Sequence, residues 1–233
     1  MKKVVVRIQG IPAIVWGEKS EKIYVFVHGK LSCKEEAEAF ARRACPKGYQ
    51  VISFDLPEHG ERSNQQQYAC NPWNGLHDLT VIVEYIEKQW SELNLVAFSL
   101  GAYFSLLAFK DLFIKKCLFV SPILNMEHLI KNMMLWFEVD EEVLEEMKEI
   151  PTPMGETLSL EYYTYVKEHP IVKWDIPTKI LYGQKDHLME RETVDTFTKK
   201  FQCELTVLQD GGHSINTPEH ALFMEEWLEC NID

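Results

Sequence analysis

Short apolar runs alternating with amphipathic helical stretches predict an α/β chain with a mostly parallel central sheet and helices on both faces. Compact apolar runs fall at residues 23–27, 50–54, 93–98 and 116–120, short enough to be strands buried on both faces. Helical periodicity separates them, and a second stretch of strand and helix alternation closes the chain. Between the two stretches, residues 122–175 lose the strand signal, which predicts a helical insertion in an otherwise continuous core.

Taken in order, residues 4–8 and 13–16 read as the first two strands. The basic Met1-Lys2-Lys3 start is followed by an apolar run that Arg7 and Gln9 interrupt, so it is too short for a signal segment. Residues 35–45 place Ala37, Phe40, Ala41 and Ala44 on one helical face, and Pro46-Lys47-Gly48 stops the helix. Residues 76–90 repeat that pattern through Leu79, Ile82, Val83 and Ile86, while residues 100–109 are apolar nearly all round and belong at the centre. Helices are expected at 126–137, 141–150 and 158–169, then a strand at 178–182, a helix at 190–201, a strand at 204–208 and a closing helix from Pro218. The predicted organisation is one core domain built from residues 1–121 and 176–233, with 122–175 as a helical cap.

Composition excludes several classes. A hydrophobic share of 46% and a charged share of 26% are ordinary for a globular chain. A net charge of −12 disfavours nucleic acid and anionic membrane surfaces, which recruit basic patches, and nothing resembles an apolar span for membrane insertion. Six scattered cysteines form no CxxC pair and no zinc spacing, so they read as reduced thiols of a cytoplasmic protein.

Chemistry concentrates at predicted strand ends. Ala97-Phe98-Ser99-Leu100-Gly101 joins a strand to a helix and reads as a nucleophile elbow, a sharp turn that exposes a serine hydroxyl. Residues two before and two after the serine must be small; Gly101 meets this fully and Ala97 approximately. Two later strands end in Gly183-Gln184-Lys185-Asp186 and Asp210-Gly211-Gly212-His213. Ligands bind beyond the carboxyl ends of strands in such sheets, so three loops can bring Ser99, Asp186 and His213 together. Their chain order, Ser then Asp then His, is the one expected for this architecture. Asp210 competes with Asp186 for the carboxylate role, but lies too close to His213 and before a glycine turn, where Asp is a turn former.

With His28-Gly29 and Asp55-Leu56-Pro57-Glu58-His59-Gly60-Glu61-Arg62-Ser63, these segments resemble the α/β-hydrolase superfamily over nearly the whole chain, particularly its small cap-bearing carboxylesterases and monoglyceride-lipase-like serine hydrolases. The resemblance implies that Ser99 attacks a carboxylic ester, His213 acts as general base and then acid, and Asp186 orients the imidazole. It places the oxyanion donors at the backbone N–H of Leu100 and of Lys30, with Leu31 as the alternative. No metal or organic cofactor is implied. His28 is expected to hold the oxyanion loop structurally. His59, His77, His128, His169, His187 and His220 have no partner that can be named, and exposure is the default for them; His187 is also a candidate for the pocket rim.

The cap carries a methionine and aromatic-rich set, most of it expected to pack against the core. Leu31, Trp136 and Phe137 are the other pocket candidates, suiting a small to medium acyl chain or an aromatic acid as the small-molecule ester partner. Thioester, amide and carbon–carbon hydrolysis, or acyl transfer, use the same three residues and stay open. A non-catalytic ligand-binding protein on the same fold is the rival of another class. Oligomeric state is not legible.

Overall fold

The computed structural model describes residues 1–65 and 67–232. A hairpin of β1 (Lys3–Ile8) and β2 (Ile11–Trp16) opens the chain, and β3 (Lys22–Val27), α1 (Ala37–Ala44), β4 (Gln50–Phe54), α2 (Pro72–Ile86), β5 (Glu92–Phe98) and α3 (Ser99–Ala108) follow. After β6 (Lys116–Val120) come α4 (Met126–Trp136), α5 (Glu141–Met147), β7 (Glu149–Pro151), β8 (Thr157–Ser159) and α6 (Leu160–Glu168). Finally β9 (Thr178–Gly183), α7 (Arg191–Phe201), β10 (Glu204–Leu208) and α8 (Pro218–Cys230) complete it.

The main sheet has eight strands in the order β1-β2-β4-β3-β5-β6-β9-β10. Only the β1–β2 and β2–β4 pairings are antiparallel; from β4 onward all neighbours run parallel. Both faces are covered, as the unbroken apolar runs require. Along β3, Ile23, Val25 and Val27 enter one core while Tyr24 and Phe26 enter the core on the opposite face. Strand order reverses at β3, with β4 on one side and β5 on the other, so the loops leaving β3 and β5 diverge and open a crevice at the carboxyl edge.

Element ends follow local chemistry. The α2 helix starts at Pro72, earlier than its periodicity suggests, because the Asn71 side chain accepts the Asn74 N–H at 2.9 Å and Pro72 suits the first helical position. Gly48, at φ +88°, ends the helical stretch before β4. The segment between β6 and β9 differs from the all-helical expectation. The helix expected over 141–150 stops at Met147, and a short antiparallel hairpin, β7–β8, follows. Lys148 leaves the helix at φ +64°, Gly155 turns at φ +81°, and the Thr152 N–H bonds the Glu156 carbonyl at 2.7 Å. Strands of three residues are too short to carry an alternating pattern, so periodicity could not reveal them. Among the described residues no helix is long and apolar enough to cross a membrane.

Candidate active site

Ser99 is the first residue of α3 and adopts φ +45°. For a residue with a Cβ the left-handed region costs about 1–2 kcal/mol, so the surroundings must impose it. They do so from both sides. The Ile123 N–H bonds the Ser99 carbonyl at 3.2 Å, and a Cβ on Gly101 would lie 2.3 Å from the His28 carbonyl oxygen, so α3 can start this close to β3 only with glycine there. Ala97 is fully buried and keeps its place in β5, opposite Val27 and Phe119. The departure from glycine at this position is therefore accommodated.

The loop after β10 passes across the end of β9. A Cβ on Gly183 would meet the Gly212 carbonyl at 2.3 Å, and the Lys185 N–H bonds the Gly211 carbonyl at 2.7 Å. This crossing brings His213 onto Asp186. Asp186 Oδ2 accepts from His213 Nδ1 at 2.8 Å, while Oδ1 accepts the N–H groups of Leu188 at 2.9 Å and Met189 at 3.1 Å. The carboxylate is fully buried, and its bond fixes the proton on Nδ1. Nε2 is left free to accept, and Ser99 Oγ lies 2.8 Å from it. Asp210 is elsewhere, paired with Lys185 at 2.7 Å on the surface.

Across the crevice, the loop after β3 faces the serine. Gly29 approaches so closely that a Cβ there would be 3.3 Å from the Ser99 Cβ. His28 is buried; its Nδ1 donates to the Gly29 carbonyl at 2.7 Å and its Nε2 accepts the Leu56 N–H at 3.1 Å. Burial pushes its pKa down to about 4, so the ring is neutral and structural, as expected. His59 corrects the sequence expectation of an exposed, unpartnered ring. It is buried, its Nδ1 donates to the Pro57 carbonyl at 2.7 Å, and its Nε2 accepts the Leu31 N–H at 3.1 Å. Leu31 sits at φ +62°, and with its N–H engaged it is withdrawn as the alternative oxyanion donor. Lys30 precedes it in the loop, and Leu100 follows Ser99 in the first turn of α3, where a helix N-terminus favours negative charge.

No protein-family profile and no curated protein sequence matches this chain. Solved structures do. Est1E from Butyrivibrio proteoclasticus, with ferulic acid bound, superposes with a TM-score of 0.78 at 18% identity, over 97% of this chain and 96% of that one. Alpha/beta hydrolase domain-containing protein 10 from mouse gives 0.76 at 16% identity, over 100% and 99%. The esterase PF2001 of Pyrococcus furiosus gives 0.65 at 19%, over 98% and 87%. This chain has the α/β-hydrolase fold. At these identities the likeness carries the fold alone, and the chemistry has to come from the site.

Behind the crevice of this α/β-hydrolase fold, the Asp55–Ser63 segment does structural work that its sequence did not disclose. Asp55 is fully buried and accepts from Lys34 Nζ at 2.8 Å, the Lys34 N–H at 2.9 Å and the Glu61 N–H at 3.0 Å. Burial opposes the Lys34 charge, but hydrogen bonds to Asp55, Glu61 and Glu35 outweigh it and raise its pKa above the usual lysine value. Gly60, at φ +53°, has no room for a Cβ against the Asp55 carboxylate. Arg62 pairs with the buried Asp78 and also donates to the Asp55 carbonyl at 3.0 Å. Lys30 is ion-paired to Glu156 of the β7–β8 hairpin, which ties the loop after β3 to the segment above it.

The remaining sequence candidates are spread around the rim. Leu31 is 93% exposed, His187 is exposed, Trp136 ends α4 at 42% exposure and Phe137 is half-buried. None of them lines the groove of about 640 Å³ that runs between α4, α6 and α7, where Tyr103, Leu124, Val166 and Phe197 form the floor. His128, expected without a partner, bonds Glu190 at 2.7 Å at the edge of that groove. Burial raises the thiol pKa of Cys33, Cys45, Cys70, Cys117 and Cys203, which disfavours the reactive thiolate at each of them.

Proposed function

We propose that this protein is a serine hydrolase that cleaves carboxylic esters of small to medium acyl groups through an acyl-enzyme intermediate. The single observation that carries the proposal is the continuous hydrogen-bonded relay from Ser99 Oγ through the His213 ring to the buried Asp186 carboxylate. His213 Nε2 removes the Ser99 proton as Oγ attacks the ester carbonyl, and Asp186 stabilises the imidazolium that forms. The tetrahedral oxyanion is received by the backbone N–H groups of Leu100 and Lys30, donors of a kind worth about two to three orders of magnitude in rate. The imidazolium then protonates the leaving alcohol. Water, deprotonated by the same His213, attacks the acyl-enzyme, and the acid departs as Ser99 regains its proton.

In this proposal residues 122–175 act as a cap over the crevice, and Trp136, Phe137, Leu31 and His187 border the entrance. Est1E, with ferulic acid bound, is a reason to include aromatic acids among the acyl groups. The six unbridged cysteines suit a cytoplasmic location, and the charge of −12 argues against nucleic acid as a partner. The test is hydrolysis of p-nitrophenyl esters from acetyl to dodecanoyl by wild type and Ser99→Ala, with a fluorophosphonate probe for labelling. Turnover and labelling in wild type, both lost in Ser99→Ala, support the proposal. A wild type that neither labels nor turns over, while binding esters reversibly, would make it a binding protein on a hydrolase fold.

A further inference from the structure

The peptide that carries the Lys30 N–H is held at its carbonyl end, where His28 Nδ1 donates to the Gly29 oxygen at 2.7 Å. In a trans peptide the N–H points away from that oxygen. The next peptide is held as well, through the Leu31 N–H on His59 Nε2 at 3.1 Å. The Lys30 N–H itself meets no acceptor among the described residues, so it is free for a ligand oxygen. Between the two held peptides stands the Lys30 Cα, and its side chain leaves the core to pair with Glu156 of the β7–β8 hairpin.

Glu156 comes off a braced turn. Its carbonyl accepts the Thr152 N–H at 2.7 Å, the Gly155 N–H bonds the Thr152 carbonyl at 3.0 Å, and Leu158, two residues on, is buried. The open end of the hairpin is closed by the Leu160 N–H on the Lys148 carbonyl at 2.8 Å. From Met126 to His169, side chains hydrogen-bond or ion-pair with the core at two places among the described residues. One is the Lys30–Glu156 pair; the other is Glu190, which takes His128 Nε2 at 2.7 Å and Asn132 Nδ2 at 2.6 Å. Only the first lands on the loop that carries the Lys30 N–H.

We propose that Glu156 is a positioning residue: it holds the Lys30 side chain so that the Lys30 N–H keeps its aim, and it makes oxyanion stabilisation depend on the hairpin being in place. This rests on the reading of Lys30 as an oxyanion donor in ester hydrolysis. A donor aimed at the oxyanion acts mainly in the transition state, so its loss of aim shows in kcat rather than in KM. The Lys30 and Glu156 side chains are 41% and 35% exposed, so salt screens the pair and the effect of breaking it is modest.

The experiment measures kcat and KM for p-nitrophenyl acetate at low salt and at about 0.5 M NaCl. The proteins are wild type, Glu156→Ala, Lys30→Met, the double variant and Asn132→Ala, which loosens the other attachment. Hydrogen exchange at the Leu31 amide is followed in each as a readout that needs no turnover. Glu156→Ala is expected to lower kcat about three- to fivefold with KM within about twofold, and high salt to bring wild type toward that value. The double variant should be no slower than Lys30→Met, because Glu156 acts through Lys30. Leu31 exchange should speed up in Glu156→Ala, and Asn132→Ala should show none of these changes. Unchanged kcat in Glu156→Ala, additive losses in the double variant, or the same loss in Asn132→Ala overturns the proposal and leaves the esterase reading standing. If wild type hydrolyses no ester, the esterase reading falls and exchange decides: faster Leu31 exchange in Glu156→Ala keeps Glu156 as the residue that holds this loop, and unchanged exchange overturns that as well.

Discussion

The Leu31 backbone N–H donates to His59 Nε2 at 3.1 Å, which pins the loop after β3 against the middle of the 55–63 segment. That bond fixes the peptide that follows Lys30, with Leu31 at φ +62°, one residue beyond the proposed oxyanion donor, the Lys30 N–H. His59→Ala is expected to lower kcat by about 10- to 100-fold while KM changes little, because a mispositioned donor weakens the transition state more than the ground state. Steady-state kinetics on a p-nitrophenyl ester check this. A change confined to thermal stability would make His59 structural only.

Asp186 is held by two backbone N–H groups on Oδ1, so Asp186→Asn is expected to keep its amide oxygen there and turn its NH2 toward His213. His213 Nδ1 would then become the acceptor, its proton would move to Nε2, and Ser99 could no longer be deprotonated. A loss of about four orders of magnitude in kcat is expected with the fold intact. Circular dichroism and single-turnover kinetics together separate this from unfolding.

Acid sensitivity of the fold should originate in part at His28. Its folded pKa of about 4 lies below the unfolded value of 6.5, so between those pH values the unfolded chain binds the extra proton. Stability is full above pH 6.5 and falls as pH drops toward 4, by about 2–3 kcal/mol from this group. Urea unfolding at several pH values in this window should show a shallower slope for His28→Gln than for wild type. Equal slopes would mean that His28 is not neutral in the folded protein.

The elbow tolerates its two small residues unequally. Gly101→Ala would put a methyl 2.3 Å from the His28 carbonyl, moving α3 and Ser99 with it. About 1–3 kcal/mol of stability and roughly 100-fold in kcat are expected to be lost. Ala97→Gly, within β5, should cost about 1 kcal/mol as a strand glycine and change kcat by no more than a few-fold. Denaturation midpoints and kinetics for the pair test this asymmetry; equal losses in kcat would place the close approach at residue 97.

Much of the architecture was legible because its signals are local. Ile23 to Val27 and Leu93 to Phe98 announce strands buried on both faces by composition alone, and the two cores on either side of β3 account for that composition. Ser99, Asp186 and His213 each stand at a strand end, and strand ends of a parallel sheet converge at one edge. The β7–β8 hairpin was missed because three-residue strands carry no period. His59 was missed because nothing adjacent in sequence shows that a ring at 59 can reach the peptide at 31. The Lys34 and Asp55 pair escaped for the same reason, since a lysine beside two glutamates reads as a solvated helix end rather than a buried cation.

By itself, the sequence determined the order along the chain of the helices and of the main-sheet strands, the sharp turn at Ser99 and the chain order of the three residues in the relay, all of which depend on neighbours within a few positions. Tertiary structure alone decided which N–H on the loop after β3 is already taken, how the loop after β10 carries His213 onto Asp186, and that the Tyr103 hydroxyl is left without a partner. The physical reason is that a hydrogen bond or a void is set by distances between distant segments, and those distances exist only once both faces of the sheet have packed.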